Sequence, residues 1–113
     1  MSELSPFIDD GCTRDGRVEG VPGIFVDVRF SYRPATSADI AEQVIRTRDL
    51  DDVAWHKLMS EKLAKHIVSW NIRNKNNEVI PITPENCGRL INPVFMKLYM
   101  IINGSEASAD LGN

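Results

Sequence analysis

Apolar and polar positions alternate most sharply over residues 26–33. Val26, Val28, Phe30 and Tyr32 fall on one face, and Asp27, Arg29, Ser31 and Arg33 on the other. A period of two predicts a half-buried strand, and Pro34, which has no N–H to give to a ladder, ends it. Val18 and Val21 can supply a preceding strand with Gly20-Val21-Pro22-Gly23 as the turn, so the fold is expected to open with a hairpin or small sheet. Upstream, residues 1–16 mix Ser, Pro, Asp and Gly without periodicity and are expected to form a flexible arm.

The period then lengthens. Thr36, followed three residues later by Asp39, is a helix start in which the hydroxyl caps a free amide, and Ile40, Val44 and Ile45 form the apolar stripe of that helix. Leu50-Asp51-Asp52 breaks the pattern and supplies acids suited to a second helix N-terminus. Trp55, Met59, Leu63, Ile67 and Trp70 then recur at helical spacing, which predicts one amphipathic helix over residues 52–70. Lys57, Glu61, Lys62 and Lys65 take its other faces, with Glu61 and Lys65 as a favourable i,i+4 pair. The segment WNIRNKNNEVIPI reads as a strand, an Asn-rich turn at Asn74-Lys75-Asn76-Asn77, and a short strand that Pro81 confines to an edge. Thr83-Pro84-Glu85-Asn86 starts a short helix running toward Leu90, and Asn92-Pro93 repeats that start signal for a last helix, which Gly104 stops in left-handed conformation. The expected fold class is α+β: a small N-terminal hairpin or sheet packed with about four helices, with a short β turn between the second and third. Residues 17–104 would form one globular domain, and residues 105–113 a disordered acidic tail.

Composition narrows the function. A chain of 113 residues fits one domain that can bury a core without metals or disulfides. Thirteen basic and sixteen acidic residues give a formal charge of −3, too balanced to neutralise a long run of phosphates, so nucleic acid is not an expected partner. Cys12 and Cys87 lie in no metal-ligand pattern and read as reduced thiols of a cytoplasmic protein. The longest apolar run, Leu98 to Ile102, is far shorter than the ~20 residues a bilayer span needs, so no membrane partner is expected either.

Candidate chemistry is sparse. His56 and His66 are ten residues apart, roughly 80° around one helix and about 15 Å along it, so they cannot share a metal. Cys87 sits in a short capped helix, where a thiol acts as a small hydrophobe. Asp9-Asp10 and Asp51-Asp52 suit solvation and capping, and GVPG lacks the lysine and context of a phosphate loop. No catalytic residue, metal or cofactor is expected. Arg29 and Arg33 alternate with Phe30 and Tyr32, which puts the aromatics toward the core and leaves a basic outer face open to an acidic partner.

The last helix is more informative. Val94, Phe95, Met96, Leu98, Tyr99, Met100, Ile101 and Ile102 leave Lys97 as its one polar position before Asn103. Such a helix is either buried on all sides or partly covered by another chain. We expect a protein-binding or self-association surface that includes Met96, Tyr99 and Met100, with full internal burial as the alternative.

The order of these features resembles the small tail assembly chaperones and related tail-module proteins of long-tailed bacteriophages and prophages. The resemblance rests on the strand VRFSYRP followed by the ATSADIAE helix start, on HIVSW before a polar turn, on the proline-flanked ITPEN, and on a closing helix that ends in GSEAS. It covers about residues 28–109. It implies a non-enzymatic protein of the host cytoplasm that binds a hydrophobic tape-measure-like protein and tail-tube subunits, then leaves. A permanent virion subunit of a tail or connector is the second reading, and a small regulatory module or enzyme the third.

Overall fold

The computed structural model describes residues 4–109, and in it the alternating segment becomes the middle strand of a three-stranded antiparallel sheet. Strand β1 (Arg14–Val18) and strand β3 (Ile67–Trp70) flank β2 (Val28–Tyr32). Gly16 lies opposite Phe30 and Val18 opposite Val28. A Cβ on Gly16 would stand 2.5 Å from the Phe30 ring, so this position needs glycine for the ring to lie across β1. The alternation holds at Val28, Phe30 and Tyr32, all buried, and fails at Val26, which is 83% exposed. The reason is local. Residues 19–27 leave the sheet as a loop in which Val21 and Phe25 exchange backbone hydrogen bonds of 2.9 and 3.1 Å, so Val26 precedes the ladder.

Two expected boundaries move. The sheet begins at Arg14, inside the segment read as an arm, because Gly16 interrupts the apolar alternation that would have revealed a strand. At the other end, the Arg17 N–H donates to Ser108 Oγ at 2.7 Å and the Ala109 N–H to the Arg17 carbonyl at 3.1 Å. Residues 108 and 109 therefore line the outer edge of β1, and Ser108 is buried. Of the two expected tails, residues 1–3 and 110–113 lie outside the described residues.

Helix α1 (Ser37–Thr47) begins as expected: Thr36 Oγ1 accepts the Asp39 N–H at 3.1 Å and Asp39 Oδ2 accepts the Thr36 N–H at 2.9 Å. Helix α2 (Asp52–His66) is capped by the Asp51 carboxylate on the Ala54 N–H. It stops four residues before the expected end at Trp70. Ile67 turns extended, and the Arg33 N–H donates to the His66 carbonyl at 2.7 Å, which draws the chain into β3. Ile67 and Trp70 are still buried, as the helical spacing suggested, because an irregularity in the β2–β3 register lets strand residues three apart both face inward.

Beyond β3 the chain doubles back. Arg73 bridges Val79, the Ile80 N–H donates to the Ile72 carbonyl, and Asn77 takes the left-handed conformation that asparagine tolerates. Helix α3 (Pro84–Cys87) is one turn capped by Thr83 and ends short of Leu90. Helix α4 (Asn92–Ile102) has Ile91 rather than Asn92 at its N-cap and no side-chain cap bond; Gly104 closes it at φ +76°.

The core forms where α4 and α2 meet the inner face of the sheet. Val94, Phe95, Leu98, Ile101 and Ile102 of α4 pack in one cluster with Val28, Phe30, Tyr32, Met59, Leu63 and Trp70. The result, over the described residues, is an α+β fold of three strands and four helices. Among the described residues, no helix is long and apolar enough to cross a membrane.

Candidate functional site

The five residues expected to bind partners do not converge. Met96 and Tyr99 are half-buried against the core, and Met100 is half-buried as well. The chain that follows α4 folds back on its C-terminal end: the Ser105 and Glu106 N–H groups donate to the Met100 carbonyl, and Glu106 pairs with Lys97 at 2.7 Å. Tyr99 is further committed to an internal network. Its ring meets Trp55 edge-on at 5.6 Å, the Lys62 ammonium lies 5.3 Å from the ring centre, and its phenol oxygen accepts a hydrogen bond from Gln43 Nε2 at 2.8 Å. Lys62 also donates to Gln43 Oε1 and Asn103 Oδ1, and burial lowers the affinity of its amine for the proton. Arg29 and Arg33 are exposed at β2, with Arg29 alternating outward between the buried Val28 and Phe30 and thus on the sheet face away from the core. The Arg29 N–H donates to Asn71 Oδ1 at 3.0 Å, and the Arg33 carbonyl lies 2.6 Å from His66 Nδ1.

A different surface is concave and apolar. A groove of about 530 Å³ opens between the loop at Phe25, the doubled-back segment after β3, and the start of α4. Val28, Trp70, Ile72 and Ile80 line one side, and Leu90, Ile91 and Val94 the other. Trp70 is anchored at its base by an Nε1–H bond to the Ile80 carbonyl at 2.7 Å. Arg73 and Arg89 stand in the lining with Asn71, Asn74 and Asn86, and the Arg73 guanidinium is steadied by the Asn77 carbonyl at 2.8 Å. The adjoining loop carries exposed Val21, Ile24 and Val26.

The loop that forms one wall is held firmly. Asp27 accepts the Gly20 N–H at 2.6 Å and pairs with the Arg17 guanidinium at 2.8 Å, and these contacts keep its carboxyl below the usual carboxylate range. A Cβ on Gly20 would meet the Asp27 backbone nitrogen at 2.7 Å, so only glycine permits the two passes of the chain to approach this closely. Sequence reasoning missed the groove because its walls come from separate segments. The available signal was GVPGIFV, where Ile24, Phe25 and Val26 place apolar side chains on both faces of a turn-rich segment.

A smaller cleft of about 140 Å³ separates α1 from α2, and its lining is charged: Asp39, Glu42 and Arg46 face Glu61, Lys65 and His66. The Thr36 N–H is the main reason the Asp39 carboxyl lies below its ordinary range. Among the described residues, no three His, Cys, Asp or Glu side chains are gathered as metal ligands. Cys87 is fully buried, and burial pushes its thiol up to about 11, so it stays protonated and unreactive near neutrality. The groove thus combines an apolar lining with the amides of Asn71, Asn74 and Asn86 and the guanidinium groups of Arg73 and Arg89.

No protein-family model, curated protein or solved structure matches this chain.

Proposed function

We propose that the chain is a phage-type tail assembly chaperone or tail morphogenesis factor, which holds an apolar helical segment of a tape-measure-like protein and releases it when tail-tube subunits assemble. The observation that carries this reading is the open apolar groove bounded by Trp70, Ile72, Ile80, Leu90 and Ile91. Its volume is in the range of ligand-sized sites, roughly 300–1,000 Å³, and suits the side chains of a helical turn or two rather than a whole domain. Apolar area removed from water favours binding by roughly 25 cal/mol per Å², and the lost freedom of the partners offsets much of that gain. A shallow groove of this size therefore binds reversibly. Arg73 and Arg89 favour a segment whose apolar face is flanked by acids. The sequence order described above supplies the biological setting; the groove supplies a means of binding.

The test is co-expression with an apolar helical fragment of a tape-measure-like protein. Wild-type chain should keep the fragment in solution and co-purify with it, whereas Ile91→Glu combined with Ile72→Glu should lose the complex while circular dichroism stays unchanged. A fragment that stays soluble with the double variant, or the chain's retention in purified virus particles, would overturn the reading.

A further inference from the structure

The Trp70 groove and the N-terminal arm carry complementary features. In the groove, Arg73 and Arg89 stand beside an apolar lining, and neither has an ion-pair partner among the described residues. The arm, residues 4–10, leaves Leu4 46% and Phe7 70% exposed, with Ile8 half-buried and followed by the exposed acids Asp9 and Asp10. Pro6 fixes its own φ and keeps Ser5 extended, so this stretch loses less freedom on docking than an unconstrained one. Apolar side chains followed directly by two carboxylates match a lining that sets two guanidinium groups beside apolar walls.

We infer that residues 4–10 of one copy dock into the Trp70 groove of a second copy, which returns its own arm, giving a two-fold dimer. The placement of the arm favours a second copy over the chain's own groove. Arg14 Nη2 donates to the Ser5 carbonyl at 2.9 Å, which ties the arm to the Arg14 end of β1. That end pairs with Tyr32, whereas the groove takes in Val28, opposite Val18 at the other end of the strand. The two levels are about 13 Å apart along β1, and no residue of the arm lines the groove. Entering the groove of another copy leaves the Ser5 bond in place. Leu4 and Phe7 then fill the apolar lining at Ile72, Ile80 and Ile91, and Asp9 and Asp10 meet Arg73 and Arg89. Each copy thus supplies residues that complete the other's groove. A single short arm falls below the roughly 800 Å² per partner of a standard stable interface, so the dimer is weak and depends on concentration. The inference uses the lining of the groove and does not rest on the apolar helical segment assigned to it above.

Sedimentation of the full chain alone tests the inference across about 5 to 500 μM, where weak dimers dissociate. No tape-measure-like fragment is present, so failure here leaves the chaperone reading standing, and failure of that reading leaves the dimer standing. Wild type should shift from monomer to dimer within this range. Phe7→Glu, which spoils the arm, and Ile91→Glu, which spoils the groove, should each stay monomeric with an unchanged circular dichroism spectrum, since both side chains are exposed. An equimolar mixture of these two variants should dimerise at the upper end of the range, because one intact arm meets one intact groove. Asp9→Lys combined with Asp10→Lys should weaken the dimer by roughly three- to tenfold, as expected for exposed charge pairs. A wild type that is monomeric throughout, a dimer indifferent to Phe7→Glu or to the two lysine substitutions, or a mixture no more dimeric than its separate components would each overturn the proposal.

Discussion

Arg17 and Asp27 clasp the loop between β1 and β2: the guanidinium meets the carboxylate at 2.8 Å, and the same carboxylate accepts the Gly20 N–H at 2.6 Å. The clasp fixes the loop whose far end, Phe25 to Val28, walls the apolar groove. Because Asp27 is held below its ordinary value of 3.8, first by the Gly20 N–H and then by Arg17, its stabilising contribution is complete above that pH. It is lost as pH falls through the lower folded-state value. Asp27→Asn should therefore flatten the acid limb of a stability-against-pH curve. Hydrogen exchange should also show the Gly20 amide opening faster in this variant, with protection in α4 unchanged.

Gly16 and Phe30 make a sharper steric test. A methyl group at position 16 would enter the ring of Phe30 at 2.5 Å, in the middle of the sheet. Gly16→Ala should cost about 1–3 kcal/mol, typical of overpacking, measured by chemical denaturation. Phe30→Leu in the same chain should cost less than in wild type, because removing the ring relieves the clash. Strictly additive losses would show that the backbone shifts instead.

How far the fold was legible depended on how local its cause is. The capping box at Thr36 and Asp39 and the stop at Gly104 were readable because each is fixed by residues within one turn. The end of α2 was not. Ile67 and Trp70 continue the helical spacing, and only the pairing of β3 with β2 turns them into strand residues that remain buried. The stripe on α1 shows the opposite failure: Val44 and Ile45 carry a core pattern, but Gln43 is drawn inward by Tyr99 and Lys62, which leaves the stripe outside. The apolar surplus of α4 was legible as a pattern: five of its residues are buried in the core, and Met96, Tyr99 and Met100 stay half-buried. Of the groove, Ile91 and Val94 adjoin the helix that was singled out; Trp70, Ile72 and Ile80 reach it through tertiary pairing that no spacing records.

Cys87 and Cys12 should differ in reactivity. Cys87 is fully buried with its thiol pushed from 9.0 up to about 11 by desolvation, whereas Cys12 is partly exposed. A thiol reagent at neutral pH should modify Cys12 in the native chain and reach Cys87 only as the domain unfolds, which mass spectrometry of time points would resolve. The sign of the linkage follows. The raised value favours the folded state fully below about 9, and that stabilisation is lost as pH rises through about 11. Cys87→Ala, which leaves a small void, should destabilise by about 1–2 kcal/mol and lessen the stability loss above pH 9.

Tyr99 and Gln43 govern how tightly α1 is held. The helix buries no side chain, so its attachment rests on half-buried Ile40 and on the bonds that Gln43 makes to the Tyr99 hydroxyl and to Lys62. Few buried apolar contacts mean a low free energy of local opening. Residues 40–47 should therefore exchange their amide hydrogens well before α2 or α4. Tyr99→Phe keeps the ring against Trp55 and beneath Lys62 but removes the oxygen that Gln43 reaches. The variant should lose about 0.5–1.5 kcal/mol, the usual net value of one such hydrogen bond. Because α1 can open without the core, the loss should appear as several-fold faster exchange within α1, with little change in the melting temperature of the whole domain. If α1 and α4 speed up together in Tyr99→Phe, the two helices belong to one cooperative unit, and α1 is held by more than the polar network and Ile40.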